Sequence, residues 1–388
     1  MQDFIAAEAA SGVVLVVALM FGLTWFNIDS GSYGDVWGAS VALDFGPVEV
    51  HKSVSGWVES GLMAVFFFVI GLELKREIVV GELRDPKVAA VPILAAVGGM
   101  VVPAVIYFLV SAGTGASRGW GVPVATDIAL VLGLLALLGS HASSGLKVFM
   151  LAVAIVDDLL GIAAIALFYT DDLRLEWLAG SLVLLGVTAS LIRVLPRGWC
   201  LALGGATVWY CTYRSGVKAA LAGAAIGLVV PATAYRGRDF LNELEHRVHP
   251  WSAFVVLPLF GITSASISVA PTAVADALTS RVTWAVIAGA VAGKFVGITA
   301  TTLVLARGSL RLPGELSRSE VVAGSLLGGV GFSVALFIAS AAFGADPSDR
   351  LAHARMGVLF AGVIAAALGA AILTLSSRGR RNAPISPP

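Results

Sequence analysis

The 388-residue chain alternates between apolar runs of about 20 residues and short polar segments. A run of that length with few charges is the pattern of a helix that crosses a bilayer. About twelve such spans are predicted. The first six lie at about 11–27, 55–79, 88–111, 121–138, 146–169 and 176–194. The other six lie at about 199–211, 216–231, 250–269, 283–306, 321–343 and 354–375, the seventh span being short. Between the first two, Val41 to Val50 reads VALDFGPVEV, with apolar residues partly alternating around Gly46-Pro47. That pattern predicts a small β-hairpin at about 41–50. The expected fold is an all-α polytopic membrane protein with a single transmembrane domain over 1–376. Residues 377–388 are basic and then Pro-rich, and are expected to form a disordered tail.

Composition supports this picture. The chain is 58% hydrophobic and 13% charged, against about 25% charged in soluble domains. The net charge is zero, so nothing points to nucleic acid. An even number of spans places both termini on one side. Lys and Arg concentrate on that side, at Lys75, Arg76, Arg84, Lys87 and the tail residues Arg378, Arg380 and Arg381, among others. The bias puts both ends in the cytoplasm and the hairpin outside. Asp3 and Glu8 without a basic n-region argue against a cleaved signal peptide. Cys200 and Cys211 would lie ~16 Å apart on one helix, too far for a disulfide.

An internal repeat is visible. Span three contains AVGGMVVP (Ala96–Pro103) and span ten contains AVAGKFVG (Ala290–Gly297), setting Met100 opposite Lys294. Span four contains TDIAL (Thr126–Leu130) and span eleven contains FSVAL (Phe332–Leu336). Span three runs outward and span ten inward, so spans 3–5 and 10–12 are expected to be inverted repeats. Both members carry helix interruptions. Pro123 precedes Thr126-Asp127, and Gly324, Gly328, Gly329 and Gly331 precede Phe332-Ser333. Interrupted spans at matching repeat positions point to a transport site at the membrane midplane. There, freed carbonyls and half-helix ends must line a cavity rather than lipid.

The ionisable residues at that depth carry the chemistry. Asp157 and Asp158 sit mid-span in LKVFMLAVAIVDDLLGIAAIALFY, Asp127 in span four and Lys294 in span ten. Each carboxylate costs roughly 2.5–3.5 kcal/mol to insert, so such residues mark ion paths, partners or polar cavities. Adjacent residues on a helix point about 100° apart, so the two aspartates do not both face one small partner. One can pair with Lys294 while the other joins Asp127 and Thr126 around an ion. Oxygen ligands suit a hard cation such as sodium, and no His or Cys cluster with transition-metal spacing accompanies them. Coupled carboxylates titrate together and can hold either protons or a cation, which with alternating access is antiport. An intramembrane aspartyl protease is a second reading, but it needs acids on facing helices, of which only Asp127 with Asp158 is a candidate. A sodium-coupled small-solute symporter and an ion channel are further readings, separated by solute dependence and by proton coupling.

The chain resembles the NhaA family of bacterial sodium/proton antiporters. The resemblance runs over nearly the whole chain and rests on LMAVFFFVIGLELKRE (Leu62–Glu77), VPVATDIALVLGLLALLGS (Val122–Ser140) and LAVAIVDDLLGIAAIALFYTDDL (Leu151–Leu173). LEHRVHPW (Leu244–Trp251), AGKFVGI (Ala292–Ile298) and GGVGFSVALFIASAAFG (Gly328–Gly344) extend it. It implies a secondary transporter, not an enzyme, that exchanges sodium or lithium for protons electrogenically across the bacterial inner membrane, without a cofactor. It implies a homodimer joined through a periplasmic hairpin. Asp157 and Asp158 form the cation and proton site, with Asp158 as the direct cation ligand. Lys294 pairs with Asp157. Spans four and eleven cross as unwound chains at Thr126 and Asp127, and Asp127 balances their dipoles. Glu73, Arg76, Glu77, Glu245, His246 and His249 match the pH-sensing region at the cytoplasmic funnel. The chain departs from the family pattern there. Lys218 stands where a well-studied form has His, Asn242 and Glu243 replace basic residues, and Ser60 replaces an acid. These departures bear on the pH threshold, not on the transport chemistry.

Overall fold

Apolar runs leave the backbone no hydrogen-bonding partner but itself, and a helix satisfies it locally. The computed structural model follows that rule and describes residues 2–45, 48–81, 84–170, 172–195, 198–232, 239–307, 316–346 and 348–381. Helix α1 (Gln2–Ile28) and a short α2 (Ser30–Gly38) lead into strands β1 (Ser40–Phe45) and β2 (Val48–Ser53). The strands pair antiparallel from Ser40↔Ser53 to Phe45↔Val48. The hairpin is thus longer at both ends than the expected 41–50, and its turn at Gly46-Pro47 lies outside the described residues.

Next come α3 (Val54–Val79), α4 (Pro86–Val110), a 3-10 turn (Ser117–Val124) with α5 (Ile128–Leu137), α6 (Ser144–Phe168) and α7 (Leu175–Val194). Then follow α8 (Gly198–Arg214), α9 (Leu221–Val229), α10 (Phe240–Trp251), α11 (Leu257–Ser264) and α12 (Pro271–Thr279). The chain ends with α13 (Arg281–Ala306), α14 (Arg318–Leu327), α15 (Phe332–Phe343) and α16 (Arg350–Arg381).

Among the described residues, eight helices are long and apolar enough to cross a membrane. A ninth span results if α14 and α15, bent by 43°, count as one. The expected spans seven and eight fall on shorter helices. Helix α8 has 17 residues, about 25 Å of helix against a hydrocarbon core of about 30 Å. Helix α9 has nine, whereas span nine falls on a helix that runs from α10 through a π-helical turn (Ser252–Val256) into α11. At the other end, α16 continues as helix through the basic run to Arg381. Residues 382–388 of the expected disordered tail lie outside the described residues.

The chain divides into two compact units, each discontinuous in sequence. The first comprises 1–13, 85–161 and 275–388. In it α4 packs along α13, and α14 and α15 pack against α16. The second comprises 14–84 and 162–274. In it α3 packs along α9 and α7 along α8, where Ser181 and Thr212 share a hydrogen bond of 2.8 Å between buried hydroxyls. Leu182, Val183 and Val187 on α7 are exposed apolar side chains, as expected of a helix face turned to lipid.

Glycine sets the closest approach in the first unit. A Cβ on Gly297 of α13 would strike the carbonyl oxygen of Gly98 on α4 and come within 2.7 Å of its carbon. The obstacle is backbone, so it cannot rotate aside. Gly297→Ala should therefore push the two helices apart at a cost of about 1–3 kcal/mol. A lowered thermal midpoint in detergent is the expected readout, and an unchanged midpoint would contradict the close contact.

Candidate ion-binding site

The two interruptions expected from Pro123 and the glycine cluster lie against each other in the first unit. After the 3-10 turn the chain is extended at Ala125 (φ −69, ψ 144) and Asp127 (φ −100, ψ 107) before α5 begins. The second break runs from Gly328 to Gly331, between α14 and α15. The Asp127 N–H donates to Val330 O (2.8 Å) and the Thr126 hydroxyl to Gly328 O (2.8 Å). Gly331 packs so closely that a Cβ there would collide with Ala125 O.

Asp127, 3% exposed, ties both breaks together. Its Oδ1 accepts from the Leu130 N–H (3.2 Å), capping α5. Its Oδ2 accepts from the Ser333 N–H (3.0 Å) and hydroxyl (2.5 Å), capping α15. One negative charge thus sits at the positive ends of two half-helices, the placement that stabilises both. Ser333 was not singled out from the sequence as a functional residue. The signal was nevertheless present: aligning TDIAL with FSVAL sets Asp127 against Ser333, and these two residues touch.

Asp157 and Asp158 lie in the middle of α6, 1% and 5% exposed. Lys294 Nζ is 2.6 Å from Asp157 Oδ2, with both side chains fully buried. Two local features place the lysine. A π-helical turn (Gly289–Gly293) immediately precedes it, an irregularity frequent at functional sites. Gly293 also packs against Pro103, and Gly99 against the Lys294 methylenes, bringing α13 close to α4. The Asp157 Oδ1 accepts no hydrogen bond from the described residues. Thr126, at the first break, approaches the same carboxylate through its hydroxyl and backbone N–H. A buried carboxylate oxygen without a donor is costly, and together with break carbonyls and a hydroxyl it supplies the oxygen ligands a hard cation takes. No group of three or more His, Cys, Asp or Glu among the described residues is arranged to hold a metal.

The residues of the second matched region lie in the second unit. Glu73 is buried on α3, and one turn on Arg76 bridges to Glu77 (3.5 Å) and to Glu245 on α10. Glu245 is 3% exposed and its Oε2 has no hydrogen-bond partner among the described residues. Burial pushes its carboxyl above the usual range, while Arg76, His246 and His249 pull it back and Glu77 pushes it up. His246 is exposed, with its ring nitrogen 2.9 Å from Asn242 O, and His249 is half-buried. Asn242 and Glu243 face solvent. Ser60 donates to Gly56 O (2.6 Å). Lys218 lies in the same electrostatic neighbourhood as Lys52 and Glu59.

The family model of Na+/H+ antiporter 1 matches residues 2–373. The chain is 39% identical to the Na(+)/H(+) antiporter NhaA of Salmonella paratyphi B, over 99% of each chain. It is 40% identical to the Na(+)/H(+) antiporter NhaA 2 of Kineococcus radiotolerans, over 97% of this chain and 84% of the relative. Its fold is similar to that of the sodium proton antiporter MjNhaP1 from Methanocaldococcus jannaschii, solved at pH 8, with a TM-score of 0.56 at 14% identity over 96% and 97% of the two chains.

Two outcomes are expected. Lys294→Ala strands Asp157 without its cation and should cost about 3–5 kcal/mol. Adding Asp157→Asn should recover most of that loss in detergent melts, and an additive double variant would mean the pair is not coupled. For Glu245, the raised carboxyl keeps its proton in the fold at pH values where the unfolded chain has released it. Stability therefore falls as pH rises from the ordinary glutamate value through the raised one. Glu245→Gln should flatten that part of the stability–pH curve, and an unchanged slope would remove Glu245 as its source.

Proposed function

The chain belongs to the Na+/H+ antiporter 1 family, and from that premise we propose how it exchanges sodium for protons across a membrane. It is a secondary transporter that moves ions without a chemical reaction. The observation that carries the site assignment is the buried Asp157–Lys294 pair, with one Asp157 oxygen that has no hydrogen-bond partner among the described residues.

In this reading Asp158 is the direct ligand of the transported sodium or lithium ion. Asp157 and the Thr126 hydroxyl assist it, and break carbonyls complete an oxygen shell. A cation between the two aspartates competes with Lys294 for Asp157 and with protons for both carboxylates. Protonation of Asp158 expels the cation, Lys294 pairs with the ionised Asp157 again, and the same site is then loaded from the other side. More than one proton returns per sodium, so the cycle moves net charge. Asp127 caps both half-helices and balances their dipoles. No cofactor takes part.

The shorter helices α8 and α9 and the helix continuing from Trp251 through α11 complete twelve spans. Spans 3–5 and 10–12 form inverted repeats in a bacterial inner membrane, with both termini cytoplasmic. The hairpin then faces the periplasm and joins two copies. Glu73, Arg76, Glu77, Glu245, His246 and His249 set the pH response, and Lys218, Asn242, Glu243 and Ser60 shift its threshold.

Proteoliposomes with an acid interior and a pH-sensitive dye test the core of this reading. Sodium or lithium, but not potassium, should release the dye's quenching in the native protein. Asp158→Asn should abolish the response while inserting at normal levels. Normal exchange by that variant would sink the assignment, and solute-dependent sodium uptake without dequenching would favour symport.

A further inference from the structure

A threonine in a helix ordinarily turns its hydroxyl back to a carbonyl three or four residues earlier. Thr207 and Thr212 of α8, Thr263 of α11, Thr279 of α12 and Thr374 of α16 all do so. Thr299 and Thr302 of α13 do not. Each has a buried Oγ1 with no hydrogen-bond partner among the described residues, and Thr302 is fully buried. Forgoing the local carbonyl and burying the hydroxyl without another partner is costly. Two such groups, one turn apart on one helix, call for a guest that both donates and accepts.

The residues before them set where they point. Four residues advance about 40° round a helix, so Lys294, Ile298 and Thr302 form one stripe. That stripe faces the seam that α13 makes with α4 and the second break. A Cβ on Gly99 would meet Ile298 Cγ1 at 2.8 Å and Lys294 Cδ at 3.6 Å, and one on Gly328 would meet Ile298 Cδ1 at 3.1 Å. Thr302 continues the stripe one turn on, with Thr299 about 60° to its side. Helix α14 packs on this half of α13, and its buried Ser325 donates within its own helix, to Val321 O (2.7 Å). At the other end of the stripe, the Lys294 ammonium gives one of its three N–H groups to Asp157 Oδ2. Lys294 and Thr302 are separated by about 12 Å of helix rise, or about four hydrogen-bonded steps of ~2.8 Å. Thr302 is itself one turn from Ala306, where α13 ends.

We propose that Thr299 and Thr302 hold a file of water in this seam, and that protons reach the Asp157–Lys294 pair along it from the Ala306 end of α13. Each water or hydroxyl accepts one proton and releases another, so one proton enters the file for each one delivered and no heavier atom travels. Ile298, fully buried, fills the direct line, and the file passes it on the Thr299 side. Helix α13 carries no acid between Lys294 and Ala306, and two hydroxyls are far fewer oxygens than a hard cation takes. The seam therefore passes protons and not sodium. The water rests on the unpartnered hydroxyls, and the proton traffic rests in addition on the antiport reading.

X-ray radiolysis of the full chain in nanodiscs tests the water, because it turns bound water into hydroxyl radicals that oxidise the side chains beside it. Ile298 should be oxidised in the native protein and should lose that label in the paired variant Thr299→Val, Thr302→Val. An unlabelled Ile298 in the native protein would overturn the proposal. In proteoliposomes the valine pair should lower kcat for sodium-driven exchange about tenfold, less than the loss of a direct acid–base group, with KM for sodium unchanged. The pair Thr299→Ser, Thr302→Ser keeps both hydroxyls and should exchange at the native rate. A native kcat in the valine pair would overturn the proton route. So would a change confined to KM, which would put the hydroxyls on the cation's path instead. A dry seam has its own signature: valine would then raise the thermal midpoint by removing an unpaired hydroxyl and leave exchange untouched. Should the valine pair fail to fold, Thr302→Val alone carries the same comparisons. If the native protein exchanges no ions at all, antiport falls, and the Ile298 label still decides the water.

Discussion

A helix broken inside a bilayer must find partners for the backbone groups it frees, because no water is at hand. In this chain the two breaks answer each other. The extended stretch at 125–127 takes its bonds from the Gly328–Gly331 segment, and Asp127 closes both following helices with one carboxylate. That arrangement positions Thr126, which lies at the break and also faces Asp157. Without the crossing, the unwound chain would be intolerable at this depth.

The buried carboxylates differ in how fully they are satisfied. Asp127 accepts from donors on both oxygens. Asp157 meets Lys294 on one oxygen, and its other oxygen has no hydrogen-bond partner among the described residues. Glu245 repeats the half-satisfied pattern in the other unit, with Arg76 on one oxygen and nothing among the described residues on the other. Buried carboxylates with a spare oxygen are the groups whose occupancy responds to what the solution offers.

Much of this was legible in the sequence because membrane burial writes itself in long apolar runs, and charges within them are rare enough to read singly. Pro123 and the 324–331 glycines gave away both breaks, and VDD with Lys294 gave the ionisable centre. Spans seven to nine read poorly. Their apolar runs are real, but the non-helical stretch at 215–220 leaves two short helices, and the helix of span nine begins in the polar segment 240–249, which dilutes its apolar period. The hairpin's length was underestimated because its outer pairs, such as Ser40 with Ser53, carry no alternation signal. Ser333 was overlooked because a lone serine in a glycine-rich stretch looks like packing. Only its contact with Asp127 reveals a second role.

That contact has a consequence for how the two related segments diverge. Were TDIAL repeated faithfully in α15, a second carboxylate would stand within hydrogen-bonding distance of Asp127, and one of the pair would have to keep a proton. A serine at that position turns a symmetric repulsion into a donor and an acceptor. The two halves of the chain are therefore not free to change separately at this point: an acid gained on one side is tolerable only with a hydroxyl kept on the other.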